Sequence, residues 1–227
     1  MVKSTFHNLS PAKRQRIIDA AIDEFGARSY GTATVDRIVA AAGISKGSLY
    51  QYFGGKAALY RWLLLEYMTE RKMAAIESHT APQGPLGVWE TLEQAFLAGV
   101  RFTASEPKLA RLGARFLRDL ELEPELAQIA QVHRKNSHQW LLDLLQRGQA
   151  HGELRAGLDL DTVAILLAQA LGEGMLEVLA GRCGVGLSEL LDDPSVTNAL
   201  GQQEVLELAR KVTAIFRFGT APREDAP

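Results

Sequence analysis

One stretch of twenty residues, Thr34 to Phe53 (TVDRIVAAAGISKGSLYQYF), limits the fold more than any other part of the 227-residue chain. It reads as a short helix, a glycine-centred turn and a second short helix. Val35, Ile38, Val39 and Ala42 recur at helical spacing and give the first helix a single apolar face. Thr34 is placed to accept a backbone N–H at its start, and Asp36 puts negative charge at that positive end. Gly43 supplies the backbone freedom that ends it. Ser45 is placed to cap the second helix, where Leu49 and Phe53, four apart, form a buried stripe.

The remaining side chains of the second helix are Lys46, Gly47, Ser48, Tyr50, Gln51 and Tyr52, one cation and no carboxylate. A helix that enters the DNA major groove needs donors near its N-terminus and must lack anions. Gly47, without a side chain, lets the backbone come close to a nucleic acid. The competing reading has Gly47 and the two tyrosines filling a small three-helix core.

The run Gly43 to Lys56, GISKGSLYQYFGGK, resembles the DNA-binding signature of TetR/AcrR-family transcriptional regulators. The resemblance extends from about Lys13 to about Leu65 and includes Phe25, Tyr30, Gly31, Thr34, Val35, Ile38 and Gly43. Gly55 stands where the family usually has Ser, Asn or Thr before the lysine of the fourth helix. A glycine N-cap costs only a few tenths of a kcal/mol relative to Ser or Asn. The resemblance implies an all-α fold: an N-terminal three-helix helix-turn-helix module, residues 1–56, then a helical effector-binding and dimerisation domain, residues 57–227. It also implies that Lys56, with the backbone N–H beside it, holds a DNA phosphate, a task suited to a helix N-terminus.

Charge is distributed as such a chain requires. Net charge is −2, but residues 1–56 carry eight Lys/Arg and four acids, giving +4, while the remainder gives −6. A basic head on an acidic body fits a DNA-binding module joined to something else. A DNA-packaging protein would be far more basic than pI 6.2. One cysteine, Cys183, excludes an intramolecular disulfide and a multi-cysteine zinc site, and fits a reducing compartment. The first ten residues hold no signal-peptide run. Val163 to Gly181 approaches membrane-span length, but Glu173 and Glu177 inside it favour a buried helix and no membrane. The expected location is cytoplasmic.

Along the chain, residues 1–9 read as a mobile arm. Ser10-Pro11 opens a helix that runs to about Arg28, with Lys13, Arg14 and Arg16 near its start. The fourth helix runs from Lys56 to about Ser78. Thr80 to Gly87 (TAPQGPLG) is the clearest linker. Further helices are expected at Leu86–Ala104, Glu106–Leu120, Pro124–His151, Asp161–Gly181 and about Leu200–Phe218, with a disordered tail from Gly219 and no strand.

Readers of two half-sites dimerise. Ala164, Ala168 and Gly172, four apart, would admit a partner helix, with Val163, Leu167, Leu171 and Leu176 supplying apolar area and Met175 also at the interface. Trp89, Phe96, Phe102, Phe116, His133, His138 and Trp140 are the candidates for an apolar small-molecule effector. No catalytic reading is supported: HExxH and a P-loop are absent, His133 and His138 are awkwardly five apart, and no cofactor is implied. A redox-sensing role for Cys183, or a regulator without an effector, is the alternative. The expected function is a homodimeric regulator, in the manner of a repressor, bound to a palindromic double-stranded operator. Lys46, Ser48, Tyr50 and Gln51 would meet bases or adjacent phosphates, and Thr34, Arg37, Tyr52 and Lys56 the backbone. Ser45 and Gly47 shape the approach.

Overall fold

The computed structural model describes residues 2–77, 86–120 and 122–220. Most of the expected linker, Glu121 and residues 221–227 of the tail lie outside them. Among the described residues the chain is all-helical, without a strand. The first helices are α1 (Ser4–His7), α2 (Pro11–Ala27), α3 (Val35–Ala42) and α4 (Lys46–Phe53). Next come α5 (Lys56–Trp62) and α6 (Met68–Glu77), joined by a π-helical turn at Leu63–Tyr67, then α7 (Val88–Ser105) and α8 (Pro107–Asp119). A 3₁₀ turn at Pro124–Leu126 leads into α9 (Ala127–Ala150). The α10 helix (Leu160–Gln169) passes through a second π turn, Ala170–Gly174, into α11 (Met175–Cys183). The last are α12 (Leu187–Asp192) and α13 (Gln202–Thr220).

The chain forms two compact units, one of Met1–Met73, Glu106–Gln131 and Leu191–Pro194, the other of Ala74–Ser105, Val132–Leu190 and Ser195–Pro227. The first has an aromatic core. Phe25 and Tyr60 meet edge to face at 4.7 Å between centroids, and Tyr60 also contacts Tyr30 and Phe116. Residues 1–9 are not the arm expected of them. Phe6 of α1 is 2% exposed and packs on Tyr52, Phe53 and Trp62. The Lys3 N–H donates to the Tyr52 carbonyl at 3.0 Å. Burying one phenylalanine is worth roughly 1.5–3 kcal/mol, enough to hold a short segment that no periodicity announces. Ser10 precedes Pro11 as expected but makes no side-chain cap.

In the second unit, Val88, Trp89 and Leu92 of α7 pack with Leu141, Leu144 and Leu145 of α9 and Ala164 and Leu167 of α10. A second cluster joins Leu179, Ala180, Leu190 and Leu208. Glu93 accepts from Arg210 and Thr213, which ties α7 to α13. The cap of α10 is Asp159, two residues before the expected Asp161; its carboxylate accepts the Thr162 N–H and hydroxyl. By length and composition alone, the run Leu160–Cys183 is apolar enough to cross a membrane. Ala164 and Leu167 on it are fully buried in the chain's own core, as in a core helix of a globular domain.

Candidate nucleic-acid interface

Two short helices can be held at a fixed angle only if the loops around them are fixed. The loop between α2 and α3 is held by three charged side chains. Glu24, 7% exposed, accepts the Thr34 N–H at 2.9 Å and the Arg37 Nε–H at 2.7 Å. Asp119 of α8, 2% exposed, accepts the Tyr30 N–H at 2.8 Å. Lys56 donates through Nζ to the carbonyls of Tyr30 at 2.8 Å and Ala33 at 3.2 Å, with its cation over the Tyr30 ring. Charge-assisted bonds of this kind are roughly twice as strong as neutral ones, and they satisfy loop groups that would otherwise be buried unpaired.

The start of α3 is capped as expected, the Thr34 hydroxyl accepting the Arg37 N–H. Its end is a left-handed Gly43 (φ 65°), with the Ile44 N–H donating to the Val39 carbonyl, a glycine-terminated Schellman closure. Ser45 caps α4 by accepting the Ser48 N–H at 3.1 Å. Leu49 and Phe53 are buried at 0% and 3% exposure, as the stripe predicts.

Lys46, Gly47, Tyr50 and Gln51 are exposed together on α4, and Ser48 is half-buried. Lys46 pairs with Asp36 at 2.8 Å, an exposed contact whose hydrogen bond raises the lysine pKa. A Cβ on Gly47 would meet only Ser45 Oγ, at 3.8 Å. Glycine inside a helix is disfavoured by roughly 0.5–1 kcal/mol relative to alanine, and the fold around Gly47 does not ask for it. The core-filling alternative is therefore wrong for Gly47 and Tyr50.

It is right for Tyr52. That side chain is 7% exposed, its ring 6.0 Å from Phe6, so it does not share the outer face. α1 covers the side of α4 on which Tyr52 lies, and the sequence did not show α1. Arg37 and Lys56 are committed to Glu24, Thr32 and the two loop carbonyls, so both order the loop before they can serve a phosphate. Glu24, Asp119 and Phe6 went unnoticed in the sequence; the first two are ordinary acids on helices, and only the fold brings them to Thr34 and Tyr30.

The other candidate sites fare differently. Ala164, Leu167 and Met175 are at most 1% exposed, and Ala168 and Leu171 pack against the same core as Ala164, so only Gly172 of the expected partner stripe is exposed. The alanines of the stripe face the chain's own core, where Ala164 and Leu167 pack against α7 and α9. Exposed apolar side chains lie instead at Ile165, Leu166, Val178, Ile215 and Phe218. Of the effector candidates, Trp89 is buried in packing of the second unit and Phe96 partly so, Phe102 is buried, and Phe116 is buried in the first unit beside Tyr60. His133 and Trp140 are exposed on α9, and His138 sits 3.2 Å from Asp161. Phe116 belongs to the first unit and the other six to the second. Cys183 donates to the Val196 carbonyl, and burial raises its thiol pKa, which lowers thiolate reactivity. Among the described residues no group of three or more His, Cys, Asp or Glu is placed to hold a metal ion.

Residues 17–62, spanning α2 to α5, match the family described as bacterial regulatory proteins, tetR family. Over 156 residues the chain is 25% identical to the probable acrEF/envCD operon repressor of Escherichia coli, covering 68% of this chain and 70% of that protein. It is 28% identical over 183 residues to the HTH-type transcriptional repressor AcnR of Corynebacterium jeikeium, covering 79% and 88%. The crystal structure of a TetR family transcriptional regulator from Chloroflexus aurantiacus is 32% identical, with a TM-score of 0.66 over 98% of this chain and 100% of that one.

Proposed function

The chain belongs to the TetR family of DNA-binding transcriptional regulators, and we propose that it is a homodimeric repressor released from a palindromic operator by a small-molecule effector. The observation that carries the DNA half is the exposed face of α4: Lys46, Gly47, Tyr50 and Gln51, no carboxylate, and a glycine whose missing side chain serves no intramolecular contact. Lys46, Ser48, Tyr50 and Gln51 meet base edges or adjacent phosphates. Thr34, Ser45 and Arg37 fix the presentation, and the N-terminal turn of α5 with Lys56 lies against the backbone. The regulator works in the cytoplasm, where its DNA is.

The dimer forms through the exposed apolar side chains of α10, α11 and α13, Ile165, Leu166, Val178, Ile215 and Phe218, in place of the buried stripe. The effector is mainly apolar and binds in the second unit. Its binding is relayed along α5 and α6, whose π turn at Leu63–Tyr67 is a natural point of adjustment. A shift there alters the spacing of the two recognition helices. Effector and operator then oppose each other reciprocally, by a coupling of typically ~1–3 kcal/mol. The test is anisotropy of a bound duplex with ligands found by thermal shift. Operator affinity should fall about 5- to 150-fold at saturation; unchanged affinity, or stabilisation by charged metabolites alone, overturns the effector half.

A further inference from the structure

The basic face of α8 has no part in the DNA contacts proposed above. That helix carries Lys108, Arg111, Arg115 and Arg118. Lys108 pairs with Asp23 at 2.8 Å. The three arginines stand at i, i+4 and i+7 and therefore share one side of the helix. With Gly26 and Ala27 at the end of α2, and with Asp192, they line a cavity of about 230 Å³, all within the first unit. Arg118 pairs with Asp192, and Arg115 makes a long 3.5 Å contact from Nη2 to the Ala27 carbonyl. Arg111 has no carboxylate partner among the described residues.

Three guanidiniums against one carboxylate leave the cavity with a formal charge of +2. Like charges four apart on a helix repel, so the chain alone gains nothing from this grouping. The carbonyl end of α2 supplies partial negative charge that holds the arginines there without neutralising them. The cavity is larger than a water site needs and smaller than the roughly 300–1,000 Å³ of drug-sized sites. Guanidinium forks match the geometry of carboxylates and phosphates. At the crossing of α2 and α8 the Arg111 stem lies close over Gly26, 4.0 Å from where a Cβ would stand.

We propose that this cavity binds one small dianionic oxyanion, a phosphate monoester or a dicarboxylate, between α2 and α8. Because α2 also packs on α3, the occupant touches the helix that supports the reading module. The site concerns binding alone and does not depend on the effector reading of the second unit.

The test is calorimetric titration of the full chain with inorganic phosphate and, separately, succinate, in chloride buffer of matched ionic strength, for wild type, Arg111→Gln and Asp192→Asn. One anion per chain is expected, at least about tenfold weaker in Arg111→Gln and tighter in Asp192→Asn. Binding of phosphate alone assigns the phosphate monoester, and binding of succinate alone the dicarboxylate. Binding of neither, or equal affinity in all three proteins, overturns the site. If Arg111→Gln does not fold, Asp192→Asn decides by its sign: tighter binding supports the site and equal or weaker binding overturns it.

Discussion

The outer face of α4 and the exposed face of α10, α11 and α13 are alike in what they lack. On α4 the missing group is the carboxylate, among Lys46, Gly47, Tyr50 and Gln51. On the other it is cover: among charged neighbours such as Glu177, Arg210 and Lys211, Leu166 is 54% exposed, Ile215 73% and Phe218 84%. A helix face with no anion of its own fits a polyanion, and one with large uncovered apolar groups fits a copy of itself or another apolar face. In both cases the partner's chemistry follows from what the exposed side chains exclude. Neither face helps the chain's own stability, since Gly47 weakens its helix and Phe218 remains in solvent.

The comparison breaks most visibly if the apolar face is charged. Ile215→Asp combined with Phe218→Asp removes apolar burial worth roughly 1.5–3 kcal/mol per side chain, counted twice in a symmetric dimer. It should give a monomer by sedimentation and an operator affinity down at least about a hundredfold by this reckoning; an unaltered dimer would move the interface elsewhere. Lys56→Met separates loop ordering from phosphate contact. Losing two charge-assisted bonds to the Tyr30 and Ala33 carbonyls should lower chemical-denaturation stability by about 1.5–3 kcal/mol, whereas a pure phosphate contact would leave it unchanged. Ala164→Leu tests the inward position of the small-residue stripe. It should destabilise the fold by about 1–3 kcal/mol through overpacking, with dimer affinity intact by sedimentation. The smallest effect expected is that of Gly47→Ala: a melting temperature unchanged or slightly raised, with operator affinity lower by at least about tenfold.

The same contrast explains what could be read in advance. The helix-turn-helix was legible because its caps, its turn glycine and its apolar spacing are local, and each of Thr34, Gly43, Ser45, Leu49 and Phe53 acts within a few residues of its own position. The burial of Tyr52 and the loop-ordering bonds of Lys56 were not legible because their partners, Phe6 and the carbonyls of Tyr30 and Ala33, are set by tertiary packing. The partner stripe failed because small residues at constant spacing suit an internal core as well as a dimer, and the π turn at Ala170–Gly174 leaves no mark in composition. The arginine cavity was not legible for a related reason: Arg111, Arg115 and Arg118 lie on α8, whereas Gly26, Ala27 and Asp192 come from distant parts of the chain. The effector candidates are aromatic or polar singletons, with Phe116 in the aromatic core of the first unit, and residue type alone names no ligand site, which is defined by convergence.

The most direct test of the account is selection of bound duplexes from a random DNA pool by the purified protein. The account predicts enrichment of a palindrome whose half-sites lie about one helical turn, 34–36 Å, or a multiple of that apart. Its preferred bases should change with Gln51→Ala and not with Lys56→Met. No enrichment, with or without added cell extract, would contradict the reading of α4 as a sequence-specific recognition helix.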